Sequence, residues 1–329
     1  MGRILTNMAF FQSRTWREAT ESICGAEESP DRLAAWRQAW RLLRLRRKGG
    51  EVEAVVTMGP RASLAYGLAC MAAGVESRQV LCEVFLDEAR SESASWRAKT
   101  AAFRQVARRA LGVIVNSTGE RASVAERFGI SPEKVVFLPL CTTVAEPRAV
   151  EAERPLAVVT AGRTARDLAT YWAAARLLPD TEFVAIVGRE QPLPEGERPA
   201  NVSVVAECAW EEYLKRLGKA GVVALPLLPS GRSTGQVVLF EAMSLGKAVV
   251  TTRMTGTVDY VREGETGLLV EAGDVAGMAA ALRRVLADEA LRTRLGAAAL
   301  AFARSELNPE VHARRRLEIV HRLAAAARQ

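Results

Sequence analysis

The sequence predicts an α/β protein of two domains, each built around a parallel sheet. The chain has 329 residues, enough for two domains of about 150 residues each. In both halves, short runs rich in β-branched residues alternate with stretches of helical spacing, which is the order of βαβ units. Hydrophobic residues make up 49% and charged residues 25% of the chain, a balance that excludes a largely disordered protein.

The N-terminal half contains five short runs that we predict to be strands. Helical spacing is found between them, at 61–73 and 98–110. Ser131-Pro132-Glu133 predicts a single helical turn, because proline is tolerated at a helix start. This order indicates a parallel sheet. The predicted strands are 3–6, 52–58, 79–85, 112–116 and 135–138.

An irregular, charged segment at 141–155, with Pro147 and Pro155, predicts the domain boundary. We expect a first domain at 1–150, a second at 151–308, and a C-terminal helix at 309–329 that packs back toward the first. The second half repeats the alternation of strands and helices, so the chain predicts two Rossmann-like lobes that face each other across a cleft, with ligands at the carboxyl ends of the strands. The remaining predicted elements belong to this second half. Its predicted strands are 156–160, 182–187, 202–206, 221–225 and 248–251, and its helices are 166–178, 210–217, 236–245, 274–302 and 310–327.

The cysteines and the hydropathy pattern exclude several classes. The five cysteines show no C-x-x-C spacing, which argues against a disulfide framework and a zinc site. The first 14 residues lack the pattern of a signal peptide, and no run of about 18 apolar residues exists. We therefore expect a cytoplasmic protein that is not integral to a membrane. The cysteines are Cys24, Cys70, Cys82, Cys141 and Cys208.

The segment from Ser233 to Glu241 combines a loop rich in Ser, Gly and Thr with the start of a predicted helix. Thr234 is the expected N-cap. The first-turn N–H groups, at Gly235, Gln236 and Val237, would point, unpaired, at the mouth of the cleft. Free donors and the helix dipole stabilise a diphosphate at such a place.

Glu241 is an isolated acid in an otherwise apolar helical segment. Burying a carboxylate without a partner is costly, and a ribose with two vicinal hydroxyls is a natural partner for it. Glu241 as a salt-bridged core acid beside an ordinary loop explains the spacing equally well.

Several motifs of the second half occur in an order and spacing that resemble a known family. They are Thr160-Ala-Gly-Arg163, 224–230, 234–250, Gly256-Thr-Val-Asp-Tyr260 and 264–274. Residues 156–305 resemble the donor-binding domain of retaining GT-B glycosyltransferases, the large group that includes bacterial mannosyl- and glucosyltransferases of cell-envelope glycan synthesis. The N-terminal half resembles this family only loosely, at 112–117 and 128–139.

The resemblance implies that a sugar is transferred from a UDP- or GDP-sugar to a hydroxyl acceptor, with retained anomeric configuration and without a metal or separate cofactor. The first domain would hold the acceptor, which is a glycan, a glycolipid or a small molecule. Glu241 matches the acid that binds the donor ribose. Ser233 stands where the family has an acid beside the donor sugar, so we interpret Ser233, Thr234, Gly235 and Gln236 as a changed sugar contact.

The family clamps the donor diphosphate with a Gly-Arg pair and a following Lys. Gly162 and Arg163 match the pair, whereas Leu168 stands at the Lys position. Arg166 is our candidate replacement, because two guanidiniums suit a diphosphate. The alternative is that Arg166 is a surface residue paired with Asp167.

Many relatives place a histidine from the first domain near the donor sugar. The histidines here, His312 and His321, both lie in the predicted C-terminal helix. Glu83 is the nearest polar candidate for that place, and the alternative is an acid that is simply paired or exposed.

Residues 32–48 hold seven basic residues and no acidic one, and the formal net charge of the chain is +7. A helix starting at Ser29-Pro30 would carry Trp36 and Trp40 on one face beside an arginine stripe. One interpretation is an interfacial helix on an anionic membrane that carries a lipid-linked acceptor. The other, slightly favoured by the fold, buries the Trp face in the core. Nucleic acid is not an expected partner, because no recognised binding module accompanies the charge.

A second function stays open beside the enzyme. Ser233, the missing histidine and the loosely matching first domain also fit a non-catalytic nucleotide-sugar-binding or partner subunit of the same fold. Another GT-B activity, such as that of an epimerase or phosphorylase, has no supporting residues.

Overall fold

The computed structural model describes residues 2–10, 12–23, 33–48, 50–84, 93–155 and 157–328. They form two compact units, each with a six-stranded parallel sheet. The first unit comprises the chain up to Pro139 together with Pro309 and the residues after it, and the second comprises Leu140–Asn308. The expected alternation of strands and helices is therefore present in both halves.

The first unit has the strand order β2-β1-β3-β4-β5-β6, with parallel neighbours throughout. The strands are β1 (Arg3–Thr6), β2 (Thr20–Ser22), β3 (Val52–Met58), β4 (Gln79–Cys82), β5 (Gly112–Val115) and β6 (Val135–Phe137). The helices are α1 (Arg14–Ala19), α2 (Ala34–Arg47), α3 (Pro60–Ala72), α4 (Ala94–Arg109) and α5 (Glu120–Phe128).

The second unit has the order β12-β11-β10-β7-β8-β9, again with parallel neighbours. Its strands are β7 (Val158–Ala161), β8 (Phe183–Val187), β9 (Val202–Ala206), β10 (Val222–Leu225), β11 (Val249–Thr252) and β12 (Leu268–Val270). Its helices are α6 (Leu168–Arg176), α7 (Trp210–Lys219), α8 (Gln236–Ser244), α9 (Val275–Ala287) and α10 (Glu289–Glu306).

Both sheets carry helices, and their central strands are mostly apolar and buried. In the second unit, Tyr171 of α6 is fully buried, and its hydroxyl donates to Val158 O (2.8 Å) or Val184 O (3.0 Å). An otherwise costly buried hydroxyl is thereby satisfied by strand carbonyls. The core thus fixes α6 on the sheet and with it the turn that follows β7.

The C-terminal helix, α11 (Pro309–Ala326), packs on the first unit. Its Val320 and Leu323 join the apolar cluster under the first sheet. Gly112 permits this approach, since a Cβ there would lie 2.8 Å from Leu323 Cδ1. Glu310 receives hydrogen bonds from the start of α1, including one from Ser13 Oγ at 2.8 Å.

Some elements differ from the sequence expectation. The helix predicted at 274–302 is two helices, because Asp288 caps a new start by accepting from Leu291 N at 2.9 Å. The compact units divide at Pro139, earlier than the expected 150. The intervening segment bonds to the second unit, as Thr142 N donates to Leu307 O at 2.9 Å. Residues 24–32, with the expected helix start at Ser29-Pro30, lie outside the described residues.

Candidate functional site

A cavity of about 530 Å³ opens at the carboxyl edge of the second sheet. Parallel sheets bind ligands at this edge, where strands end and helices begin. We call it the Glu241 cavity. Its lining residues are Gly162, Arg163, Ile186, Val187, Gly188, Glu207, Cys208, Trp210, Tyr213, Val237, Val238 and Glu241.

Helix α8 contributes the carboxylate of this cavity. Glu241 is 1% exposed, and its Oε1 accepts from Thr143 Oγ1 at 2.6 Å while its Oε2 accepts from the Tyr213 hydroxyl. Burial raises the pKa of Glu241, and the hydrogen bonds from Thr143 and Tyr213 and the charge of Arg166 counteract that shift. Two hydroxyl donors leave further lone pairs of the carboxylate open to a ligand.

The start of α8 differs from the expectation in one detail. The N-cap is Gly235 and not Thr234, because residue 235 has a left-handed backbone (φ 84°) that favours glycine. A Cβ at Gly235 would also lie 2.8 Å from Leu227 Cδ1. Thr234 is 7% exposed, and its Oγ1 forms no hydrogen bond with any other described residue.

The backbone of Ser233 and Thr234 makes a second close contact, with Gly256. Both side chains are buried, as is that of Gln236. A Cβ at Gly256 would meet Thr234 N at 2.7 Å and the Ser233 Cα at 3.0 Å. The backbone of Ser233 and Thr234 therefore packs directly against Gly256, where a side chain would not fit.

The two candidate arginines lie in different surroundings. Arg163 is exposed on the cavity wall, and its Nη2 lies 3.1 Å from Glu207 Oε1. Arg166 folds over its own turn, where Nη1 donates to Thr164 O at 2.9 Å and Nε donates to Ala161 O. Burial lowers the pKa of Arg166 to about 10, against the opposing charge of Glu241.

Neighbouring residues explain this arrangement of Arg166. Asp167 does not pair with it but caps α6, accepting from Thr170 N at 2.9 Å. Leu168, where relatives have a Lys, is buried in the core. Gly162 has φ 107°, and a Cβ there would lie 2.2 Å from Arg166 Nη2.

Glu83 belongs to the first unit, directly after β4. Its backbone has φ 51°, an unusual conformation for a residue other than glycine. Burial raises the pKa of the Glu83 carboxyl, and the charge of Arg316 on α11 opposes this. The structure thus shows a half-buried acid that a cation of the same unit stabilises.

Both histidines have structural contacts within the first unit. His312 Nδ1 lies 2.6 Å from Pro139 O, and burial lowers the pKa of this ring to about 3. His321 Nδ1 lies 2.7 Å from Glu53 Oε1.

The sequence did not point to two partners of Glu241. Tyr213 lies on α7, and Thr143 lies in the irregular segment before β7. No spacing in the sequence connects either of them with Glu241. Trp210 and Glu207 line the same cavity, and Glu207 has φ 41°.

Helix α2 corrects the favoured interpretation of the basic stretch. Its buried side consists of Ala39, Leu42 and Leu43, whereas Trp36 is 42% exposed and Trp40 is 54% exposed. The face of α2 that carries Trp36 and Trp40 is therefore exposed and not buried in the core. Exposed cations lie on that same side of the helix: Arg37, Arg41, Arg44, Arg47 and Lys48.

Two features are absent from the residue ranges that the structure describes. Within those ranges, no helix combines the length and hydropathy needed to cross a membrane. Among the same residues, no group of three or more His, Cys, Asp or Glu side chains is placed to hold a metal ion.

Family comparisons match both halves of the chain. Residues 155–288 match the family described as glycosyl transferases group 1. Residues 14–141 match the family described as glycosyl transferase 4-like domain. Together these two ranges account for most of the chain.

Curated relatives match shorter stretches. The lipopolysaccharide core biosynthesis glycosyltransferase LpsE of Rhizobium meliloti is 41% identical over 76 residues, which is 23% of this chain and 22% of that protein. A D-inositol 3-phosphate glycosyltransferase of Nocardioides sp. is 36% identical over 128 residues, 39% of this chain and 27% of that protein. The chain therefore matches well under half the length of these two relatives.

Solved structures match over nearly the whole chain. Anabaena HepE, solved with UDP and glucose, has a TM-score of 0.69 at 14% identity, covering 97% of this chain and 99% of that one. Sucrose-phosphate synthase from Thermosynechococcus elongatus has a TM-score of 0.67 at 18% identity, covering 93% and 84%. At such identities the likeness shows the fold, which is GT-B. The chain thus carries a glycosyl transferase 4-like domain in its first half and a group 1 glycosyl transferase domain in its second half.

Proposed function

We propose that this protein transfers a sugar from a nucleotide-sugar to a hydroxyl acceptor, with retention of the anomeric configuration and without a metal. One observation carries the proposal. A buried carboxylate, Glu241, opens on the same cavity as an exposed arginine, Arg163, beside the start of an α-helix. This combination matches the ribose and the diphosphate of a UDP- or GDP-sugar.

Glu241 is the proposed ribose ligand. Its two oxygens are held by Thr143 and Tyr213, so the carboxylate is oriented before a ligand arrives. Both vicinal hydroxyls of a ribose can donate to its remaining lone pairs. Burial raises the pKa of Glu241, and the two hydroxyl partners and the charge of Arg166 oppose that rise in favour of the carboxylate.

The start of α8 and Arg163 are the proposed diphosphate ligands. The first N–H groups of a helix lack partners within the helix and attract anions. Thr234 Oγ1, buried and without a hydrogen bond to a described residue, adds a donor beside them. These groups would stabilise the charge that develops on the leaving diphosphate. Arg163 is better placed for this role than Arg166, whose guanidinium already bonds to two carbonyl groups.

Ser233 and Glu83 are the proposed contacts of the donor sugar. For Ser233 the support is its place directly before Thr234 and Gly235. For Glu83 the support is the family resemblance and its half-buried place near the charge of Arg316 in the first unit. A non-catalytic binding subunit is the second candidate, since Ser233 replaces the acid that relatives have there.

Release of nucleotide from donors separates these two candidates. We expect the protein to release UDP or GDP from one member of a panel of UDP- and GDP-sugars in the presence of glycan or glycolipid acceptors, and to do so equally with a chelator. NMR of the anomeric proton in the product tests retention. Binding of a donor without any release supports the binding subunit, and a panel in which no donor binds contradicts both.

We further propose that α2 lies on an anionic membrane surface, at the cytoplasmic side, where a lipid-linked acceptor is found. The support is its exposed face, which carries Trp36, Trp40 and five cations and no acid. Amphipathic aromatic rings and basic side chains are the residues that bind lipid headgroups. Gln38 of α2 accepts from Asn7 Nδ2 at 3.2 Å, which ties the helix to the carboxyl end of β1. A membrane on this face would thus lie near the edge proposed to hold the acceptor.

A further inference from the structure

Trp210 is an exposed aromatic residue that the roles above do not use. It is the first residue of α7, it is 45% exposed, and it lines the Glu241 cavity. A single exposed tryptophan is ordinary on a protein surface. Its place on the wall of a cavity that also holds a buried carboxylate is what requires an explanation.

Trp210 is connected to that carboxylate through one residue. Its ring centroid lies 5.4 Å from that of Tyr213, with an angle of 32° between the rings. The Tyr213 hydroxyl in turn donates to Glu241 Oε2. Glu241, Tyr213 and Trp210 therefore form one continuous side of the cavity. It is polar at Glu241 and aromatic at Trp210.

This order is the order of groups in a nucleoside. The vicinal hydroxyls of the ribose lie on one side of the sugar, and the base is attached directly at its neighbouring carbon. A ribose bound at Glu241 would place its base roughly the width of one aromatic ring away from that carboxylate. Val237 of α8 also lines the cavity and is largely exposed, which adds apolar surface there.

We propose that the Trp210 indole stacks on the nucleobase of the donor; this rests on the proposed function. Face-to-face contact needs only a flat π-surface, which every base has. Trp210 therefore contributes affinity and does not choose between uracil and guanine. Tyr213 is a positioning residue, because it orients both the ring of Trp210 and the carboxylate of Glu241.

Titration calorimetry of the full chain with UDP and with GDP tests this role. For Trp210→Ala we expect the dissociation constants of the nucleotides that the wild type binds to rise together, by roughly 10- to 100-fold. Trp210→Phe retains a stacking face and should bind within about threefold of wild type. Leu177→Ala is the matched control, an exposed apolar residue of the same unit that is not among the cavity-lining residues.

Fluorescence gives a readout that a merely structural residue would not change. Stacking on a base should quench indole emission, so nucleotide should quench the wild type and not Trp210→Phe, although that variant still binds. In turnover, Trp210→Ala should raise KM with little change in kcat, since the contact is equal in the ground and transition states.

The outcomes separate the two proposals. If the wild type binds neither UDP nor GDP, the proposed function fails and the stacking role fails with it. If the wild type binds and Trp210→Ala binds equally well, or if Trp210→Phe is still quenched, the stacking role alone is refuted. Weakening for only one of two nucleotides that the wild type binds refutes base-independent stacking.

Discussion

The carboxyl edges of the two sheets use their polar residues differently. In the second unit, Glu241 is held by the hydroxyls of Thr143 and Tyr213, which leave it able to accept from a ligand. In the first unit, Asn7 joins strand ends, as its Oδ1 accepts from Met58 N at 2.7 Å and its Nδ2 donates to Met58 O at 3.2 Å. In the second unit, Glu241 thus retains lone pairs for a ligand. In the first unit, the Asn7 side chain uses its donor and its acceptor on the backbone of Met58.

This difference matches the difference in recognisable motifs. The ribose and diphosphate of a donor are constant chemical groups, so their ligands must have fixed types and spacing. If the first unit holds the acceptor, as the proposed function has it, fewer constraints of this kind apply there, because acceptors are chemically more varied. Two units of the same architecture can thus differ in how much of their function their sequences reveal.

The strongest test of the comparison replaces one buried acid in each unit. We expect Glu241→Gln to weaken the binding of the preferred nucleoside diphosphate by roughly 100-fold, since two charge-assisted hydrogen bonds are worth about 3 kcal/mol or more. Glu120 in the first unit is also buried, but it accepts from Asn116 N (3.2 Å) and Ser117 Oγ (3.2 Å) beside the start of its own helix. Glu120→Gln should lower the melting temperature and leave nucleotide affinity unchanged. Equal affinities for both variants would refute the ribose assignment.

Glycine turns provide the second test. Gly162 follows β7 and Gly59 follows β3, and both have positive φ, at 107° and 84°. A Cβ at Gly59 meets nothing within 4 Å, whereas one at Gly162 collides with the Arg166 guanidinium. Gly59→Ala should cost about 1–2 kcal/mol of stability through backbone strain alone.

We expect Gly162→Ala to cost more, about 2–4 kcal/mol, because Arg166 must also give up its hydrogen bonds to Ala161 O and Thr164 O. It should in addition weaken nucleotide binding, which Gly59→Ala should not do. Chemical denaturation and calorimetry measure the two effects. A Gly162→Ala variant with the stability and affinity of Gly59→Ala would show that Arg166 adjusts freely.

Much of the fold follows from the sequence because buried parallel strands are apolar runs. The exceptions are short or polar: β2 has only Thr-Glu-Ser, and β12 has three residues. In the site, Glu241 was predictable as an isolated acid in an apolar helix. Its partners were not, since Tyr213 and Thr143 lie 28 and 98 positions away in the chain.

Helix α2 shows a second limit. It has apolar residues on two sides, so hydrophobic spacing alone does not decide which side is buried. In the structure the smaller side chains, Ala39, Leu42 and Leu43, pack with Tyr66 and Ala69 of α3 in one apolar cluster. Smaller side chains permit a close helix–helix approach, and the bulky Trp36 and Trp40 are left outside.

Glu83 provides a third test, now of turnover. If the first unit contributes to the transfer step through Glu83, Glu83→Gln should lower kcat roughly tenfold, about 1.4 kcal/mol, and leave nucleotide affinity unchanged. Glutamine preserves the shape of the side chain, so stability should change little. An unchanged kcat with a lower melting temperature would assign Glu83 a purely structural role opposite Arg316.

The last test has the smallest expected effect and compares an exposed tryptophan of each unit, Trp40 and Trp210. Trp40→Ala should reduce sedimentation with vesicles of anionic phospholipid, and Arg44→Ala should do so by about fivefold, as one basic side chain contributes about 1 kcal/mol at such a surface. Neither change should alter nucleotide affinity. Trp210→Ala should show the reverse, with weaker nucleotide binding and full vesicle binding. Because both tryptophans are about half exposed, a shared response would mean that general destabilisation explains both. Opposite responses would assign lipid contact to the first unit and nucleotide contact to the second.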